Sequence, residues 1–109
     1  MAHEQYQSVI NVLHECMEAC NHCYDACLKE GDMKMMSECI RYDRECADIC
    51  GYLEQALSRG TPFASELAGA CAKICEACGE ECKTHGHDHC KKCADACFKC
   101  AEACRKLAA

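Results

Sequence analysis

Residues 16–27 read CMEACNHCYDAC, with cysteines at 16, 20, 23 and 27 and no glycine or proline between them. At about 100° per residue, offsets of 0, 4, 7 and 11 fall in a stripe ~60° wide on one face of an α-helix. A bundle helix buries such a stripe, and here it carries thiols where leucine would ordinarily stand. The pattern recurs along the chain. Adding 55 carries Cys16, Cys20, Cys23 and Cys27 onto Cys71, Cys75, Cys78 and Cys82. Adding 54 carries Met36, Cys39, Asp43, Cys46 and Cys50 onto Cys90, Cys93, Cys97, Cys100 and Cys104, so Met36 and Asp43 stand where the second half has cysteine.

Three junctions divide the chain. At Glu30-Gly31-Asp32 and Arg59-Gly60-Thr61-Pro62, Gly31 and Gly60 suit a left-handed residue just past a helix end. Asp32 and Thr61 suit N-caps, and Pro62 a first helical position. Thr84-His85-Gly86-His87-Asp88-His89 again pairs a glycine with a capping-type aspartate. The expected helices run over about 4–30, 33–59, 62–84 and 88–107. Two similar hairpins with short connections predict an all-α fold, an antiparallel up-down-up-down four-helix bundle with a Cys-lined core, forming one domain over residues 1–109.

With adjacent helices in the simplest register, the core is expected as four layers: Cys16/Cys50/Cys71/Cys104, Cys20/Cys46/Cys75/Cys100, Cys23/Asp43/Cys78/Cys97 and Cys27/Cys39/Cys82/Cys93. Val9, Leu13, Leu53, Leu57, Leu67 and Leu107 extend the seams at one end as an apolar plug. Met36, Cys90 and His85 fall at the other end, with Met33, Met35, His87 and His89 close to it in sequence.

The chain holds 16 cysteines in 109 residues and a net charge of −6. The charge argues against nucleic acid or an anionic membrane as partner. No run approaches a membrane span, and the amino terminus shows no export signal, so a reducing cytoplasmic setting with free thiols is expected. Thiols as mere core filler fail on number: each replacement of leucine by cysteine forfeits on the order of 1 kcal/mol or more. A dithiol oxidoreductase is a weaker reading, because no βαβ pattern surrounds the C-x-x-C units. Iron–sulfur clusters usually draw on irregular loops and a different cysteine run.

Metal binding remains, with all 16 cysteines as candidate ligands. Cysteines four apart on a helix have Cβ atoms about 5–6 Å apart, close enough to share an ion. Soft thiolates select Cu(I), although zinc also accepts them. Zinc in each Cys₄ layer would leave about two negative charges per layer, repeated along a dry core only about 16 Å long. Cu(I) at about one ion per thiolate leaves the core near neutral, which favours it over zinc or general heavy-metal detoxification.

These residues resemble the bacterial copper storage proteins, specifically the cytosolic type without an export signal. The resemblance spans essentially the whole chain, through CMEACNHCYDAC, CIRYDRECADIC, CAKICEACGEEC, HGHDHC and CKKCADACFKCAEAC. It implies four-helix bundles that associate, typically as homotetramers, and that store many Cu(I) ions on core thiolates without catalysis. A copper chaperone is then a candidate partner.

His85, His87 and His89 form a candidate capture site at the open end, passing copper to Cys90. Met36 lies on the seam as a thioether ligand or as a filler of the helix end. Asp43 is a candidate auxiliary group, paired with Arg44 or Lys99 or hydrogen-bonded to thiols. His3, His14 and His22 are expected at the surface. Tyr6, Tyr24, Tyr42, Tyr52 and Phe98 lie mostly off the seam, on faces open to subunit contact.

Overall fold

The computed structural model describes residues 2–109, with side chains from residue 4 onward, so the surface expectation for His3 lies outside the described residues. A short α1 (Ala2–Gln5) leads into α2 (Gln7–Leu28), followed by α3 (Met33–Ser58), α4 (Ala64–Cys82) and α5 (Asp88–Ala108). The four long helices are as expected, save that Tyr6 interrupts the first. Helix α2 packs on α3 and α5, and α4 packs on the same two. The order around the bundle is therefore α2–α3–α4–α5, the up-down-up-down arrangement.

The junctions show why the helices stop where they do. Asp32 Oδ1 accepts from Met35 N at 3.1 Å, which caps α3 as expected. At the end of α3, Gly60 has φ of 72°, and the N–H groups of Gly60 and Thr61 donate to Leu57 and Ala56 carbonyls at 3.1 and 3.0 Å. These two bonds close a left-handed helix terminus that a side chain would strain. Four expectations are corrected. Gly31 is not left-handed, because Gly60 alone has positive φ among the described residues. Thr61 does not cap α4 and Pro62 is not its first residue: Thr61 Oγ1 accepts from Phe63 N at 3.1 Å, forming a turn that leaves Pro62 outside the helix and delays its start to Ala64. Asp88 is the first helical residue of α5, with His87 at the N-cap position, so its charge faces the helix N-terminus instead of capping it.

The seam is buried throughout. All sixteen cysteines are fully inaccessible, as are Leu13, Leu53 and Leu57, which close the end holding the termini and the α3–α4 turn. Val9, Leu67 and Leu107 pack against that cluster half-buried. Small residues flank the thiols and let the helices approach. Gly79 is one: a Cβ there would meet the Phe98 ring at 2.8 Å, so α5 lays this aromatic directly on α4.

Candidate metal-binding core

The thiols are free, buried and within reach of one another. Across helices, Cys39 and Cys82 approach to 3.5 Å, as do Cys46 and Cys75, while Cys20 lies 3.6 Å from Cys97 and 3.7 Å from Cys93. Along single helices, Cys23–Cys27 and Cys71–Cys75 stand at 3.8 Å and Cys78–Cys82 at 3.9 Å. Sets of four, including Cys16/Cys46/Cys50/Cys75, Cys20/Cys78/Cys93/Cys97, Cys50/Cys71/Cys75/Cys100 and Cys23/Cys27/Cys39/Cys90, have all sulfurs within 4.8 Å. Cys104 is buried with them at the plug end. At a metal–sulfur distance of about 2.3 Å, a three-coordinate ion spans sulfurs about 4.0 Å apart and a two-coordinate ion about 4.6 Å. The observed spacing reaches both with small side-chain rotations.

The flat layers are not observed. Pairing between α3 and α4 follows the expectation at Cys46–Cys75, Cys39–Cys82 and Asp43–Cys78. Helix α5, however, is displaced by one to two turns relative to α2: Cys20, predicted opposite Cys100, sits between Cys97 and Cys93. Cys16 approaches Cys97 at 3.9 Å, and Cys23 approaches Cys90 at 3.9 Å, each two seam positions from the predicted partner. Side chains also sit between two partners on the facing helix, as Cys50 does between Cys71 and Cys75 at 3.9 and 3.7 Å. This is knobs-into-holes packing, which interleaves levels instead of stacking them.

Asp43 is the one buried charged residue among the described residues. Its Oδ1 accepts from the thiols of Cys93 at 3.3 Å and of Cys78 and Cys82 at 3.4 Å, and its Oδ2 from Cys39 at 3.8 Å. Cys93 thus occupies the place predicted for Cys97. The expected pairing with Arg44 or Lys99 does not form; those side chains reach Asp48 and Glu15 on the surface. Burial pushes the Asp43 carboxyl up to about 10, so it is protonated near neutral pH. Burial likewise pushes the Cys90 thiol up to about 12 and raises that of Cys27.

At the open end the three loop histidines have different surroundings. His89 Nδ1 lies 3.4 Å from Cys23 Sγ and 3.5 Å from Cys90 Sγ, and its Nε2 meets Glu30 Oε2 at 2.9 Å. A carboxylate can only accept, so Nε2 carries the proton and Nδ1 turns its lone pair toward the thiols. His87 stacks on His89 with centroids 5.2 Å apart, and its side chain is 44% exposed. His85 is nearly buried, with Nε2 held by Glu81 at 2.8 Å. Met36 is buried, whereas Met33 and Met35 are exposed. His14 and His22 lie at the surface as expected. Sequence reading missed Glu30 and Glu81. Glu81 stands only four residues before His85, across the end of α4, and that proximity signals the pair, but nothing local signals Glu30, which meets His89 across the two hairpins.

A helical bundle whose interior is a continuous network of free thiols, opened at one end by imidazole and sealed at the other by leucine, defines a metal–thiolate binding bundle. The copper storage protein family model matches residues 2–109. The chain belongs to that family. A Bacillus subtilis (strain 168) relative, described as uncharacterized cysteine-rich protein YhjQ, is 53% identical over 74 residues, covering 67% of this chain and 68% of its own. The solved structure of Cu(I)-bound copper storage protein BsCsp3 is 52% identical, with a TM-score of 0.92 over 95% of this chain and 98% of that one. A cytosolic copper storage protein from Streptomyces lividans carrying five coppers is 39% identical, with a TM-score of 0.92 over 98% of this chain and 94% of that one.

Proposed function

We propose that this chain is a cytoplasmic copper store, one domain that holds many Cu(I) ions on its sixteen core thiolates and performs no turnover. The observation that carries the reading is the buried sulfur network, which runs from Cys50, Cys71 and Cys100 near the plug to Cys27 and Cys90 at the mouth. Each arriving ion displaces thiol protons and joins thiolates that it shares with its neighbours, so the core stays near neutral as it fills. The mouth supports uptake at the histidine end: His89 Nδ1 is already aimed at Cys23 and Cys90. His87 offers an exposed imidazole, with His85, Met36 and Asp43 as auxiliary groups along the route. Assembly as a homotetramer and supply by a copper chaperone complete the proposal, and its cytoplasmic setting is in line with the cytosolic description of the Streptomyces relative.

Anaerobic titration of the reduced chain with Cu(I) and with Zn(II), each followed by metal analysis, tests it. The expected result is roughly one copper per thiolate and far fewer zincs. Saturation near four zincs with only a few coppers would overturn the storage reading in favour of general metal detoxification.

A further inference from the structure

The mouth differs from the rest of the core in ligand chemistry as well as position. In the interior the sulfurs are joined only by the oxygens of Asp43. At the mouth an imidazole nitrogen joins them, 3.4 and 3.5 Å from two sulfurs that are themselves 3.9 Å apart. A tetrahedral zinc ion with Zn–S of about 2.3 Å and Zn–N of about 2.0–2.1 Å has edges of about 3.8 Å between sulfurs and about 3.6 Å from nitrogen to sulfur. The metal-free mouth therefore already has one triangular face of that tetrahedron. Cys27, 3.8 Å from Cys23, and Cys39, 4.0 Å from Cys23, both stand within 4.8 Å of Cys90 and can supply the third thiolate. The Glu30 carboxylate on Nε2 at 2.9 Å completes the carboxylate–histidine–metal arrangement that orients and strengthens a ligating imidazole.

We infer that Cys23, Cys90, His89 and one of Cys27 or Cys39 form a single Zn(II) site, a stopper that the copper-free protein carries at its mouth. Zinc would enter by displacing three thiol protons to solvent, leaving the site with one net negative charge. That charge is tolerable here because His89 and Glu30 are partly exposed. A Cys₄ zinc in the interior would carry two, in a region with no solvent access, so zinc stops at the mouth. The bound ion would tie α2 to α5, or all three of α2, α3 and α5 if Cys39 is the ligand, and stand between solvent and the inner thiols. Copper would then be taken up in exchange for zinc.

The test uses the full, reduced chain with Zn(II) and its spectroscopic substitute Co(II), and the binding arm contains no copper. Its failure would leave the storage reading untouched, and failure of that reading would leave the binding arm interpretable. Anaerobic Co(II) titration should give the intense visible bands and thiolate charge transfer of a tetrahedral thiolate site, saturating at one ion per chain and bleached by one equivalent of zinc. His89→Ala should abolish the tight site, while Cys104→Ser, at the opposite end, should leave it intact. Glu30→Gln, a gentler change that keeps the fold, should weaken zinc about 10- to 100-fold. No tetrahedral spectrum, several equivalent ions per chain, or indifference to both His89→Ala and Glu30→Gln would overturn the site. A second arm compares Cu(I) uptake by zinc-loaded and zinc-free chain. Slower uptake with zinc released in step supports the stopper, and identical uptake overturns that role.

Discussion

The two ends of the bundle are built on the same four helical seams and do opposite things with them. At the plug, Leu13, Leu53 and Leu57 continue the cysteine stripes as inaccessible hydrocarbon. At the mouth the stripes run into Met36, Cys90 and the histidine loop, where two carboxylates, Glu30 and Glu81, hold imidazoles in place. On the proposed function, the contrast separates stability and exchange in space. A core of thiols gives up packing energy along its length, the leucine end restores part of it, and the mouth is left polar, with partly exposed imidazoles and carboxylates.

The largest effect should come from the plug. Leu53→Ala removes an inaccessible side chain and should destabilise the metal-free protein by about 2–5 kcal/mol, read as a lower denaturant midpoint, with copper capacity unchanged. A matching loss of capacity would show that the two ends are not separable. Next comes Asp43, at the level where the two functions meet. Its carboxyl is raised to about 10 by burial, above its unfolded value near 3.8. The folded state therefore holds a proton that the unfolded state releases, so its contribution is fully present below the unfolded value and is lost progressively as pH rises toward about 10. Metal-free wild type should lose more stability than Asp43→Asn between about pH 5 and about pH 7, and parallel curves for the two would contradict the assignment. The smallest effect belongs to the mouth. Replacing His85, His87 and His89 together should slow Cu(I) uptake at low copper roughly tenfold, equivalent to ~1.4 kcal/mol in the barrier. Final capacity and stability should remain near wild type; an unchanged rate would remove the histidines from the route.

Much of this division was legible in the chain. The offsets of Cys16, Cys20, Cys23 and Cys27 gave the buried stripe, Asp32 and Gly60 marked real helix boundaries, and the leucines beyond the cysteines located the plug. The register of α5 against α2 was not legible, for a reason intrinsic to the pattern. When every seam position is cysteine, sliding a helix by one turn exchanges thiol for thiol and leaves no mismatch in the sequence. The neighbours of Asp43 followed from that register, so Cys93 could not be told from Cys97. Glu30 was hidden because its role depends on the approach of two loops distant in sequence. Thr61 looked like a cap, but its hydroxyl is taken by the N–H two residues ahead.

The central claim is that the seam itself is the store. The most direct measurement is an anomalous difference map at the copper edge from crystals of Cu(I)-loaded protein. The account predicts a column of copper peaks running between α2, α3, α4 and α5 from the Cys23/Cys90 level toward Cys104, each within bonding distance of core sulfurs. Copper confined to surface histidines, with the interior thiols bare, would contradict it.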